Sequence, residues 1–143
     1  MTTSTTYLKY GTPSTPGREA RLNQRVLDFS VTDLAVSTIY TIWQCPEDYV
    51  VFEAGYEILT AETVSSACTL DMGKAGGTEL LSAIDLSAAA GTKDAGGLAN
   101  PVFFKDSDTI DIQLNTEGAD TGKIRLWWVG CDVTELNTEN DLL

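Results

Sequence analysis

The 143-residue sequence contains no histidine. That absence alone removes most familiar catalytic designs, because Ser-His-Asp and Cys-His nucleophile systems cannot be built in their usual form. A histidine-bearing zinc site is excluded for the same reason. Cysteine is scarce as well: Cys45, Cys68 and Cys131 form no CxxC spacing and no even-numbered disulfide framework. An all-cysteine zinc site would need a fourth thiolate. In "TVSSACTLDM" the period of two places Cys68 on one face with Val64, Leu70 and Met72, so buried thiols acting as small hydrophobes, in a reducing compartment, are expected. No apolar run approaches the ~20 residues that cross a bilayer, and no membrane partner is expected. The opening "MTTSTTYLKY" lacks the apolar segment of a secretory signal, so the chain is expected to be made and used without export.

Basic residues are few, nine against twenty-one acidic, for a net charge of -12. They are also unevenly placed. Residues 1–25 hold Lys9, Arg18, Arg21 and Arg25 against Glu19 alone, whereas the remaining chain is strongly acidic. Phosphate contacts need basic surface, so nucleic acid is excluded as a partner of the body. The glycine stretches "GKAGGT" and "GTKDAGG" match no phosphate-binding loop and read as loops. "DSDTID", with Asp106, Asp108 and Asp111, resembles the start of a calcium loop but lacks the glycine at position six and the distal glutamate. A solvated strand entrance is the better reading. No catalytic residue, metal ligand or cofactor follows from these patterns, and the chain is read as a non-enzyme.

What is present is strand pattern. "AVSTIYTIWQCP" is rich in β-branched and aromatic residues. "DYVVFEAGYEILTAE" places Phe52, Ala54, Tyr56 and Ile58 on one face, with Glu53 and Glu57 opposite. Further strands are expected at "ETVSSACTLDMG", at "VFFK", at "DTIDIQLN" and at "KIRLWWVGCDV". Residues 74–101, rich in glycine and alanine, read as loop with at most a helical turn. Seven or eight short strands with unequal connections imply an all-β antiparallel β-sandwich, of jelly-roll type. The expected organisation is an extended basic arm at 1–25, a sandwich at 26–133 and an acidic tail at 134–143. No internal repeat is visible.

Trp127 and Trp128 stand side by side in the last strand. If Ile124, Leu126 and Trp128 face the core, then Trp127, Val129 and Cys131 face away from it. Burying a tryptophan removes on the order of 200 Å² from water, about 5 kcal/mol before costs. Trp127 therefore needs a cover: the chain's own arm or loop, or a neighbouring subunit, which makes Trp127 and Val129 candidates for an oligomer interface.

"YEILTAETVSSACTLDMGKAGGTELLSAIDLSAAAGT" and "DTIDIQLNTEGADTGKIRLWWVGCDV" resemble patterns in small jelly-roll-like virion proteins of tailed bacteriophages. The likeness spans residues 50–133 and its motifs are structural. It implies a capsid decoration (cement) protein on the capsid exterior, assembled in the host cytoplasm, binding the major capsid protein and forming a homotrimer. In the arm, Tyr7, Tyr10, Arg18, Arg21 and Arg25 are the candidate capsid contacts, arginine being suited to bidentate pairing with carboxylates. The alternative is a carbohydrate- or receptor-binding sandwich of a phage head or tail, with Trp127 and Phe103 or Phe104 as its aromatic platform.

Overall fold

The computed structural model describes residues 19–46, 48–94, 97–105 and 108–133. Nine strands and no helix occur among them: β1 (Arg21–Asp28), β2 (Ile39–Gln44), β3 (Tyr49–Thr60), β4 (Thr69–Gly73), β5 (Leu81–Asp85), β6 (Lys93–Asp94), β7 (Gly97–Phe104), β8 (Thr109–Asn115) and β9 (Lys123–Asp132). One sheet runs β1-β9-β3, with β6 and β7 sharing the far side of β3; the other runs β2-β8-β4-β5. All these pairs are antiparallel. Counting β6 and β7 as one interrupted strand, this is a jelly-roll order, in which β1 to β4 alternate between the sheets.

The core lies between the two sheets and follows the period of two. Ile124, Leu126 and Trp128 on β9 and Ile110, Ile112 and Leu114 on β8 are all buried in one cluster. Trp43 on β2 reaches across the sandwich, its ring 5.5 Å from Trp128 and 4.9 Å from Tyr49. Phe29, just past β1, is also buried, and its amide donates to the Gly122 carbonyl at 2.9 Å.

Four expectations need correction. The arm does not extend to residue 25, because Arg21–Asp28 pair with β9 along its whole length; an exposed sequence can still be a strand when a neighbouring edge supplies its hydrogen bonds. Phe52 is not on the face of Ala54 and Ile58. A bulge between Val51 and Glu53 turns Phe52 outward beside Glu53, while Ala54 and Ile58 are buried. Val64 is likewise exposed, since β4 starts only at Thr69. The stretch 74–101 contains β5, β6 and the start of β7.

Candidate interaction face

Residues directly opposite one another in a sheet share a face. On β9 the outward row is Lys123, Arg125, Trp127, Val129 and Cys131. Opposite them on β1 stand Asp28, Val26, Gln24 and Leu22, and on β3 Thr60, Glu57, Gly55, Glu53 and Val50. One end of this outer face is charged and internally paired: Arg125 meets Glu57 at 2.7 Å and Lys123 meets Asp28 at 3.5 Å. The other end is largely apolar, interrupted by Glu53. Leu22 is 64% exposed, Phe103 on β7 61% and Phe52 39%.

β1 mixes polar and apolar residues on both faces, with Gln24 and Asp28 in its outward row and Leu27 packed inward against the core. Its outward row carries Leu22 and Val26, both exposed, while Arg21, Asn23 and Arg25 lie on the side of the sandwich. The inward polar groups have structural work. Asn23 donates to Tyr49 Oη at 3.2 Å within the same sheet, while Arg25 Nε donates to the Ile42 carbonyl at 3.2 Å and ties β1 to β2 at the open edge of the sandwich. Nothing in the described chain does the same for Leu22 and Val26. A monomer's solvent face gains nothing from two exposed aliphatic side chains on one short strand.

Trp127 is half-buried and lies over Gly55 on β3: a Cβ at residue 55 would stand 2.2 Å from Cζ2 and 2.4 Å from Cε2 of the indole. The missing side chain at Gly55 is what lets the indole settle onto the sheet. Beside it is a groove of about 440 Å³, lined by Trp127, Leu22, Gln24, Tyr56, Lys93 and Asp94, with the Glu57–Arg125 pair along its wall.

Of the expected arm contacts, Tyr7, Tyr10 and Arg18 lie outside the described residues. Arg21 is exposed, 4.0 Å from Glu19. Arg25 is engaged with the carbonyls of Ile42 and Gln24. The aromatic platform does not assemble either. Phe104 is buried, and Phe103 stands in the row of Val50 and Cys131, four residues of strand, about 13 Å, from Trp127.

The opposite sheet presents a polar exterior with a buried carboxylate. Asp111, expected to be solvated, is 4% exposed. It accepts hydrogen bonds from the Thr41 and Thr109 hydroxyls at 2.8 and 2.7 Å and from the Ala75 amide at 2.9 Å. This is a brace between β2, β8 and the loop after β4. Glu62, not singled out by the sequence, is a second buried carboxylate. It accepts from the amides of Val64, Asp120, Thr121 and Gly122 and from the Thr121 hydroxyl. Burial pushes its pKa up, but these hydrogen bonds, led by the Thr121 hydroxyl and amide, outweigh burial and hold it at about 2. Burial raises the thiols of Cys45 and Cys68 to about 12 and 11, so they pack as hydrophobes. Among the described residues no group of three or more potential ligands is placed to hold a metal.

The sequence matches no family model and no curated protein. Three solved structures share its fold. A chain in the capsid of Ralstonia phage GP4 superposes with a TM-score of 0.63 at 18% identity, over 87% of this chain and 92% of that one. A chain in the capsid asymmetric unit of cyanophage Pam1 gives 0.60 at 15%, over 84% and 89%. A chain in the acid-stable capsid of Helicobacter pylori bacteriophage KHP30 gives 0.57 at 12%, over 80% and 90%. The chain thus has an all-β sandwich fold that recurs in the capsids of three bacteriophages.

Proposed function

We propose that this chain is a structural protein of a tailed-bacteriophage virion. It acts as a decoration or cement protein that binds the major capsid protein on the capsid exterior and stabilises the head by binding, not catalysis. The shared fold supports the virion setting. The observation that carries the role is the exposed Leu22 on β1, which stands opposite Val129 and extends the apolar row of Trp127 and Val129 onto a second strand. Such a face is covered in a working assembly. Copies meet through Trp127 and Val129 to form a homotrimer. Tyr7, Tyr10 and Arg18, with exposed Arg21 and its neighbour Arg25, are the contacts through which the arm engages the particle. Assembly takes place in the host cytoplasm.

The test is co-sedimentation of the purified chain with heads that lack it, alongside light scattering of the free chain. Saturable binding that raises the temperature of head disruption is expected. A chain that never sediments with heads at micromolar concentration would overturn the reading.

A further inference from the structure

Natural sheets blunt their edge strands with short length, bulges or interruptions, because an open edge is a template for pairing with another chain. Three of the four edges among the described strands are blunted in this way. β2 carries a bulge between Thr41 and Trp43, β5 is five residues long with a shifted register, and β6 and β7 form one interrupted strand. β1 is not. All eight of its residues pair with β9 without a break, it contains no proline, and no described strand lies on its other side.

Register decides which backbone groups that edge presents. The Phe29 amide donates to the Gly122 carbonyl, continuing the β1–β9 ladder by one residue. Bonded residues alternate along an antiparallel strand, so Arg21, Asn23, Arg25 and Leu27 turn their N–H and C=O groups toward β9. Leu22, Gln24, Val26 and Asp28 turn theirs to the free edge. The Asp28 carbonyl is already taken by the amides of Val31 and Thr32. The Gln24 carbonyl accepts from Arg25 Nη1 at 2.9 Å and keeps a second lone pair. What remains is a run centred on Gln24 and flanked by the side chains of Leu22 and Val26, 64% and 49% exposed.

We propose that this edge pairs with β1 of a second copy, antiparallel about a two-fold axis at Gln24. Leu22 then stands opposite the second copy's Val26, and Gln24 opposite its counterpart, each pair exchanging both backbone hydrogen bonds. On the outer face Leu22 and Val26 each gain an aliphatic cross-strand neighbour. On the sandwich side Arg25 faces the second copy's Asn23, and Arg21 its Leu27. Symmetry leaves little choice of register. A shift of one residue would set outward side chains opposite inward ones. A shift of two sets Arg25 against Arg25 in one direction and Arg21 against Arg25 in the other, and like charges directly opposite are destabilising. The contact is isologous and goes beyond the proposed homotrimer. It links copies of neighbouring trimers and leaves the row of Trp127 and Val129 on the open face of the joined sheet.

The experiment uses full-length protein with Cys131→Ser as background, since Cys45 and Cys68 are buried. Bonded antiparallel pairs hold their Cα atoms about 5.5 Å apart, within reach of a disulfide. Gln24→Cys, at an exposed position, should therefore link to its own copy on mild oxidation and run as a covalent dimer on a non-reducing gel. Leu22→Cys and Val26→Cys should each stay single alone, being offset from their counterparts by about 13 Å of strand, and should link when mixed. A Gln24→Cys protein that remains a single chain would overturn the pairing and give the edge to the chain's own N-terminal segment or to the capsid. Leu22→Cys linking to itself as readily as to Val26→Cys would overturn the register, and the proposal with it. In the unaltered protein, amide exchange at Leu22, Gln24 and Val26 should slow as concentration rises; free exchange there at every concentration would equally overturn it.

Discussion

The indole of Trp127 occupies the space that a side chain on Gly55 would need, with Asp94 O a further 2.6 Å neighbour of the same point. Three strands meet there: β9 supplies the ring, β3 the bare backbone, β6 the carbonyl. Gly55→Ala should therefore destabilise the sandwich by about 1–3 kcal/mol through overpacking, against the few tenths to 1 kcal/mol that replacing a glycine normally returns through the unfolded state. Urea denaturation with tryptophan emission as the probe measures this directly. A variant as stable as the parent would mean that the ring does not rest on residue 55.

Trp127→Ala and Leu22→Ser address the outer face without touching the core, since neither side chain belongs to the buried cluster. Truncating a tryptophan near the centre of an interface costs about 2–4 kcal/mol, at least thirtyfold in association constant. Sedimentation velocity across a dilution series should show Trp127→Ala dissociating at concentrations where the parent remains assembled, with Leu22→Ser intermediate. Unchanged mass for both would leave this face without its proposed role.

Truncation separates the arm from the sandwich at a sharp position. Removing residues 1–18 leaves β1 intact and should keep the far-ultraviolet spectrum and the urea midpoint of the parent while abolishing binding to heads. Removing residues 1–25 deletes five of the eight residues of β1, and with them the Asn23–Tyr49 bond within the sheet and the Arg25–Ile42 bond that closes the sandwich edge. That form should unfold at clearly lower urea. Normal decoration by the shorter truncation would sink the attachment arm.

Strand β9 was legible from sequence because its alternation is strict from Lys123 to Val129 and no bulge interrupts it on the core side. β3 was legible as a strand and in the faces of Ala54 and Ile58, but the extra residue at Phe52 reverses parity for everything before it. β1 was hidden for a different reason: it buries almost nothing inward, so no hydrophobic period announces it, and β9 alone defines it. The same holds for β5, β6 and the first half of β7, short or glycine- and alanine-bearing stretches that become strand by pairing with β4 and β3, whereas the end of β7 was expected at "VFFK". The row at Trp127 and Val129 followed from parity, whereas its continuation onto Leu22 required the register of β1. Asp111 read as solvated because its partners Thr41 and Ala75 are 70 and 36 residues away, a distance local pattern cannot bridge.

Glu62 is where the fold meets pH. Its carboxylate joins the turn after β3 to the turn before β9, receiving amides from both. With an ordinary value of 4.5 in the unfolded chain and about 2 in the fold, the native state prefers the charged form. The difference is worth about 3 kcal/mol at neutral pH. Because the folded pKa is the lower one, this stability is complete above pH 4.5, declines as pH falls below it, and is gone near pH 2. Glu62→Gln keeps the size but loses the charge and one acceptor oxygen, so it should cost roughly 2–3 kcal/mol at pH 7. The cost should shrink steadily as both proteins are titrated downward. Urea unfolding of the pair at pH 7, 5, 4 and 3 provides the comparison. A gap between the two that stays constant with pH would show that Glu62 acts through shape alone and that its charge contributes nothing.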